Sequence, residues 1–258
     1  MSYKGFEFIY EKGQTEIKLK MPLELEGLFR ASLYCRGELM DRTQGDPAAI
    51  WDSLSSNFNN IPLVAPLQVH GTVVIPASEE YALPSRPEAD GVLIGLTSDC
   101  MASLRFADCA PVVIASASPE PWMMLLHSGF AGTSKNISGV SLSALKEWDP
   151  ESMGKKTWAW TGPCICRDCY SRRIDDPSTQ KALGIFSPEN YNQKDGMIHF
   201  DIVGEIKRQL VHCGIPYDNI YAIGDCTCCR RSSYYSYRAG DERARIFLLG
   251  GNTTKDPV

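Results

Sequence analysis

The sequence predicts one α/β or α+β domain. Segments with the two-residue period of strands and segments with helical spacing are mixed along all 258 residues. No repeat or low-complexity stretch appears, and no linker divides the chain. A chain of this length builds its core as one large domain or two small ones. Without a linker the expectation is a single domain over residues 1–258.

Residues 6–10 and 16–20 alternate with a period of two around a glycine-bearing turn, which reads as a strand pair. Asp46 as cap and Pro47 at the first helical position open a helix expected to reach about Phe58. Residues 63–70 read as a strand interrupted by Pro66, and the Pro- and Glu-rich residues 75–90 as an exposed loop. Strand character resumes over 91–94 and 102–106. Residues 111–116 and 122–126 are apolar throughout, as strands buried on both faces are. Residues 134–148 carry helical spacing through Ile137, Val140, Leu142 and Leu145. A strand at 157–160 follows, then an amphipathic helix over 201–213 with Asp201 near its cap and Gly214 beyond its end. Late strands are expected at 220–223 and 246–249.

With 43% hydrophobic and 22% charged residues, the composition is that of an ordinary soluble globular protein. No apolar run approaches the ~18 residues of a membrane span. The opening Met1-Ser2-Tyr3-Lys4-Gly5-Phe6-Glu7 lacks the apolar stretch of a secretory signal. The expected location is cytoplasmic, with no membrane partner. A net charge of -5 without a long basic run argues against a nucleic-acid partner. The basic-aromatic segment from Arg230 to Arg238 is short, and suits either the anionic part of a small ligand or solvent.

Ten cysteines are many for a reducing compartment, where clustered thiols more often mean metal or catalysis than disulfides. Eight fall into three groups: Cys100 and Cys109; Cys164, Cys166 and Cys169; Cys226, Cys228 and Cys229. Cys35 and Cys213 stand alone and read as small buried hydrophobes. The second and third groups each follow an expected strand, so their six thiols could meet in space as a four-thiolate zinc site or an iron–sulfur cluster, or stay idle.

His70, Cys109 and His127 carry the chemistry. Each sits at the boundary of an expected strand, where catalytic and ligating groups gather. Two imidazoles and a thiolate are a zinc-compatible set, and three protein ligands leave one coordination position open. Their separations of 39 and 18 residues match no zinc finger, so separated strand ends must supply the site. The turn after His127, from Ser128 to Gly132, offers backbone amides to an anion. His199 and His212 have no such context and read as ordinary hydrogen-bonded residues.

Seven short motifs occur in order: Gln68-Val69-His70-Gly71, Ala89-Asp90-Gly91, Ala107-Asp108-Cys109-Ala110-Pro111, His127-Ser128-Gly129-Phe130-Ala131-Gly132, Gly162-Pro163-Cys164-Ile165, Cys226-Thr227 and Ser236-Tyr237-Arg238. Together, over roughly residues 20–250, they resemble the YfiH-type laccase-domain family, also called multicopper polyphenol oxidases and including proteins named peptidoglycan editing factor. The resemblance implies a mixed α/β sandwich of two β-layers between helices, unrelated to blue-copper laccases. It implies a purine nucleoside phosphorylase acting on adenosine, inosine and methylthioadenosine with phosphate, with adenosine deaminase activity alongside. It maps the metal, zinc with copper as the alternative, onto His70, Cys109 and His127.

Two departures touch the arginines. The family's Thr-Arg-x-Gly-Gly-Val-Ser-like element is replaced by the segment from Leu28 to Glu38, where Arg36 is the better candidate than Arg30. The family's Ser-Tyr-Arg-Arg becomes Ser236-Tyr237-Arg238-Ala239, with Arg243 or Arg245 as the replacement guanidinium. The expected cofactor- and phosphate-binding residues are therefore Arg36, Arg238 and Arg245. The expected catalytic residues are Cys109, His127, Asp108 and Arg238, with Asp108 or Asp90 positioning a proton or orienting an imidazole.

A zinc ion so held would activate water for attack on C6 of adenine, and the arginines would hold the attacking phosphate. The rival enzyme is a thiol hydrolase or peptidoglycan-editing enzyme with Cys109 as nucleophile and His127 as base. A non-enzymatic alternative is a metal-binding protein without turnover. A multicopper phenol oxidase fares worst, because the chain has only four histidines. The expected state is a monomer or homodimer.

Overall fold

A hairpin of β1 (Phe6–Glu11) and β2 (Gln14–Leu19) opens the chain, in unbroken antiparallel register from Phe6 with Leu19 to Glu11 with Gln14. The structure is a computed structural model, which describes residues 3–11, 13–145, 149–150 and 153–253. Strand β3 (Phe29–Gly37), helices α1 (Glu38–Thr43) and α2 (Pro47–Leu54), and strands β4 (Leu63–Val64), β5 (Val74–Pro76), β6 (Gly91–Gly95), β7 (Met101–Phe106), β8 (Ala110–Ser116) and β9 (Trp122–Ser128) follow. Next come α3 (Phe130–Ser134), α4 (Ile137–Ser143), β10 (Thr157–Thr161), β11 (Ser171–Arg173), α5 (Pro177–Leu183), β12 (Tyr191–Lys194) and β13 (Met197–Phe200). Helix α6 (Ile202–His212) and strands β14 (Ile220–Ala222) and β15 (Ile246–Asn252) complete the set.

Among the described residues two mixed six-stranded sheets result, ordered β1-β2-β3-β15-β7-β4 and β14-β10-β8-β9-β6-β5, with a small third sheet β11-β13-β12. The fully apolar runs of β8 and β9 serve two cores. Val113, Ala115, Met123 and Leu125 join the core between the large sheets, whereas Val112, Ile114, Met124 and Leu126 join the core under the helices with Ile137, Leu142, Ile206 and Leu210. Period-two alternation in a strand covered on both faces requires this division. The architecture is the expected α+β arrangement of two β-layers with helices, and no helix among the described residues is long and apolar enough to cross a membrane.

Local differences have local causes. The strand expected over 63–70 ends at Val64, because Pro66 cannot donate to a ladder and the residues beyond it serve a turn. The loop at 75–90 is partly anchored: Ala77, Ala82 and Ala89 are buried. The helix expected over 134–148 starts earlier, at Phe130, and is split by Asn136 in a left-handed conformation (φ 52°), whose side chain caps α4 through the Gly139 amide. Residues 146–148 lie outside the described residues. Strand β3, the small sheet and α5 were not expected. Phe29, Ala31, Leu33 and Cys35 are buried in alternation, and Asp176 caps α5 before Pro177 as Asp46 does before Pro47.

Candidate metal centre and active site

Each of the three expected ligands comes from a place where the chain changes layer or ends a strand. His70 lies in the link from β4 in the first large sheet to β5 in the second, and Cys109 in the link from β7 to β8 across the same gap. His127 shares the strand face of Met123 and Leu125, which aims it at the inter-sheet core, where its ring centroid is 5.4 Å from that of Phe106. The candidate ligand atoms of all three lie within 4.8 Å of one another. The two imidazoles meet edge to face, centroids 4.9 Å apart.

Asp90, wholly buried just before β6, organises both histidines. Its Oδ1 accepts from His127 Nδ1 at 2.8 Å and from the His70 amide at 3.0 Å. Its Oδ2 accepts from the amides of Gly71 at 2.6 Å and Val69 at 3.2 Å. Three backbone donors on this carboxylate hold residues 69–71 in a turn where His70 takes a left-handed φ of 59°, at a cost of about 1–2 kcal/mol. Burial works to raise the Asp90 carboxyl, but the bonds from His127, Gly71 and Val69 outweigh it and hold it below the usual carboxylate range. The ionised carboxylate therefore accepts a hydrogen bond from Nδ1–H, which fixes the proton there and leaves Nε2 as the candidate ligating nitrogen. Burial, against the pull of Asp90, lowers the His127 value, so the ring is neutral, as a metal ligand must be. Gln68 docks the same turn on β7: its amide donates to the Arg105 carbonyl at 2.8 Å and accepts from the Arg105 amide at 2.9 Å.

Cys109 is half-buried, and burial, with Asp108 and Asp90, pushes its thiol up to about 12. Only a cation at the sulfur would deprotonate it near neutrality. A Cβ on Gly129 would overlap Cys109 Sγ, so glycine at this point of the His-Ser-Gly motif is a space requirement; its φ of -82° is open to any residue. Two imidazoles and a thiol converging with a fourth direction open fit a borderline-soft divalent metal.

The two aspartates divide the roles left open above. Asp90 orients the imidazole; Asp108 does not reach it and instead ties loops together. In a left-handed conformation (φ 81°), Asp108 accepts from Thr227 Oγ1 at 2.7 Å and from the Arg238 amide at 2.8 Å. Its carbonyl accepts from the Ile165 amide at 3.0 Å. Most of the short motifs thus meet at one place, although hundreds of ångströms of extended chain separate their ends.

A cavity of ≈600 Å³ opens on the three ligands, walled also by Arg105, Arg238, Arg243 and Arg245, by Tyr170 and Tyr237, and by Asp108. Arg245 is fixed by the carbonyls of Asp241, Ala244 and Glu242 at 2.8–3.0 Å. Arg105, which sequence reasoning missed, is pushed down to about 10 by burial and by Arg86 and Arg245, and stays cationic at neutral pH. Its signal was a single charge in the otherwise apolar or small run of β7, three residues before Asp108. Arg36 is corrected: it does not line this cavity. Its guanidinium is held by both oxygens of Asp241 (2.6–2.7 Å), donates to the Tyr234 carbonyl at 3.2 Å, and lies 4.2 Å from the Tyr235 ring centre. The turn after His127 is packed rather than open. Ser128, Gly129 and Gly132 are buried, and the amide of Thr133 is bonded to the Gly129 carbonyl. His199 bonds the Arg167 carbonyl through Nδ1 at 3.3 Å, away from the ligand group.

The chain belongs to the family described as multi-copper polyphenol oxidoreductase laccase, which matches residues 39–248. A curated relative, a purine nucleoside phosphorylase of Aquifex aeolicus (strain VF5), is 26% identical over 181 residues, 70% of this chain and 78% of that protein. Among solved structures, YfiH of Bacillus licheniformis superposes with a TM-score of 0.78 at 19% identity, covering 96% of this chain and 99% of that one. YlmD of Geobacillus stearothermophilus gives 0.76 at 21% identity, covering 95% and 98%. These two likenesses establish the fold.

Proposed function

We propose that this protein is a zinc-dependent purine nucleoside phosphorylase, acting on adenosine, inosine and methylthioadenosine, with adenosine deaminase activity at the same centre. One observation carries the reading: a three-ligand metal group and four arginines share one cavity of ≈600 Å³, so an electrophilic centre and an oxyanion site face the same substrate. The nucleoside phosphorylase relative supports the substrate class.

Zinc held by His70, Cys109 and His127 would supply Lewis acidity at its open position. Arg238, Arg243 and Arg245 neutralise a phosphate and present one oxygen to the ribose anomeric carbon. As that C–O bond forms, the glycosidic C–N bond breaks, its electron pair leaves with the purine, and ribose 1-phosphate remains. Arg105, cationic and half-buried, keeps the cavity favourable to that anion. Tyr170 and Tyr237 offer ring faces to the base. In deamination, water replaces the amino group at C6 and ammonia departs. Asp90 works through His127, and Asp108 holds the loop bearing Arg238; both are positioning residues.

Incubating metal-loaded protein with adenosine or inosine, with and without phosphate, tests this by chromatography. The expected products are free base and ribose 1-phosphate with phosphate, and inosine from adenosine without it. Absence of all of them removes the reading.

The thiol-hydrolase alternative would use Cys109, His127 and Asp90 as a relay. It needs a thiolate near neutral pH, and a reactive cysteine has a lowered pKa, whereas burial and two carboxylates push this one up to about 12. It also leaves His70 without a task.

A further inference from the structure

Two Cys-x-x-Cys turns, far apart in the chain, meet beside the arginine wall. Cys166, Cys169, Cys226 and Cys229 bring their sulfur atoms within 4.8 Å of one another, and the sulfurs of Cys169 and Cys229 are 3.5 Å apart. Sulfurs arranged tetrahedrally about a zinc ion at ~2.3 Å would stand about 3.8 Å from each other, so the group needs only slight closure to hold one. The backbone is shaped for it. The Cys169 amide donates to the Cys166 carbonyl at 3.1 Å, and the Arg230 amide to the Cys226 carbonyl at 3.0 Å, so each pair is folded into a single turn. A bridge between Cys164 and Cys226 sets the two turns in register. The amides of Cys166 and Cys229 both point at Cys226 Sγ, at 3.2 and 3.4 Å, and two N–H dipoles on one sulfur favour thiolate over thiol. The other two clustered thiols are not part of the group: Cys164 Sγ donates to the Asp108 carbonyl at 3.1 Å, and Cys228 does not join the four.

We infer that these four cysteines form a second, closed metal site for zinc, structural rather than catalytic, that fastens residues 164–170 to residues 226–238. A four-thiolate set leaves no coordination position for substrate, which separates it chemically from the His70, Cys109 and His127 centre. Its burial is graded from Cys226, buried, through Cys166 and Cys169 to Cys229, exposed, which gives the ion a route from solvent. What it would hold in place is the arginine wall. Tyr170 directly follows Cys169, and Arg238 Nη1 donates to the Cys169 carbonyl at 3.4 Å. The site does not depend on the nucleoside reading and stands or falls apart from it.

Zinc counted by plasma mass spectrometry on protein stripped of loosely bound metal tests the inference. About two ions per chain are expected in the natural protein, about one in Cys109→Ala, and about one in the double variant Cys166→Ser/Cys229→Ser. Undiminished zinc in the double variant overturns the site, as does an intact mass of the natural protein with these cysteines oxidised to disulfides. If the double variant fails to fold, cobalt-loaded Cys109→Ala protein still decides. Sulfur-to-cobalt charge-transfer bands of four-thiolate strength support the site, and their absence overturns it. Nucleoside turnover enters neither measurement.

Discussion

The candidate metal ligands and the arginines that surround them face the same cavity but are positioned by opposite means. His70, Cys109 and His127 hang from strand ends and sheet crossings, and a wholly buried carboxylate with four donors fixes the two histidines. Arg238, Arg243 and Arg245 lie on the segment between β14 and β15, where Arg238 is tied to Asp108 and to the Cys169 carbonyl, and Arg245 to the carbonyls of Asp241, Ala244 and Glu242. The ligand geometry is therefore as rigid as the sheets, whereas the arginine geometry is only as firm as its ties. A fold built this way can keep a ligand group while its anion contacts vary.

The sharpest way to break that contrast is to remove a ligand. Cys109→Ala is expected to lose about one metal ion per chain and all nucleoside turnover while the fold persists; unchanged zinc content would sink the ligand assignment. Gly129→Ala tests the rigid side without touching a ligand. Its Cβ has to displace Cys109 Sγ, and overpacking of this kind costs about 1–3 kcal/mol. Metal affinity measured by chelator competition should fall at least tenfold, at ordinary fold content by circular dichroism.

Asp90→Asn keeps the volume but weakens the acceptor shared by His127 and the 69–71 turn. A loss of about 10–100-fold in metal affinity is expected, the usual scale for a group that orients a ligand. On the looser side, Arg238→Ala should leave metal content unchanged and raise the KM for phosphate by about tenfold or more, since hydrogen bonds to charged groups contribute about 1.5–3 kcal/mol. The smallest effect belongs to Arg36→Ala. Outside the cavity and partly exposed, it should cost about 1 kcal/mol of stability or less, read by denaturant unfolding, with phosphate KM unaltered. A raised KM there would return Arg36 to the site.

Much of the site was legible because ligand types cannot be exchanged cheaply: two histidines and a cysteine at strand boundaries point to a metal whatever the fold. Arg105 was not legible, because an arginine inside a strand reads as an edge charge and only the fold places a cavity beside it. Arg36 misled because a guanidinium near the expected element has no mark in the sequence that distinguishes a salt bridge to Asp241 from a ligand contact. Strand β3 has a period of two, but its polar positions Arg30, Ser32 and Arg36 read equally well as a ligand-binding loop. The break at Asn136 depends on a single left-handed residue, which helical spacing does not reveal.

The sequence by itself determined the mixture of strands and helices, the burial of β8 and β9 on both faces, the caps at Asp46 and Asp201, and the chemistry of the ligand set. Each depends on neighbours within a few residues or on the nature of one side chain. Only the tertiary structure decided that β4–β5 and β7–β8 are crossings between sheets, that Asp90 rather than Asp108 orients the histidines, and that Cys166 and Cys169 meet Cys226 and Cys229. Those contacts join residues about 20 to 60 positions apart, and which distant strands pair is set by burying two cores at once, a condition that no local stretch of chain encodes.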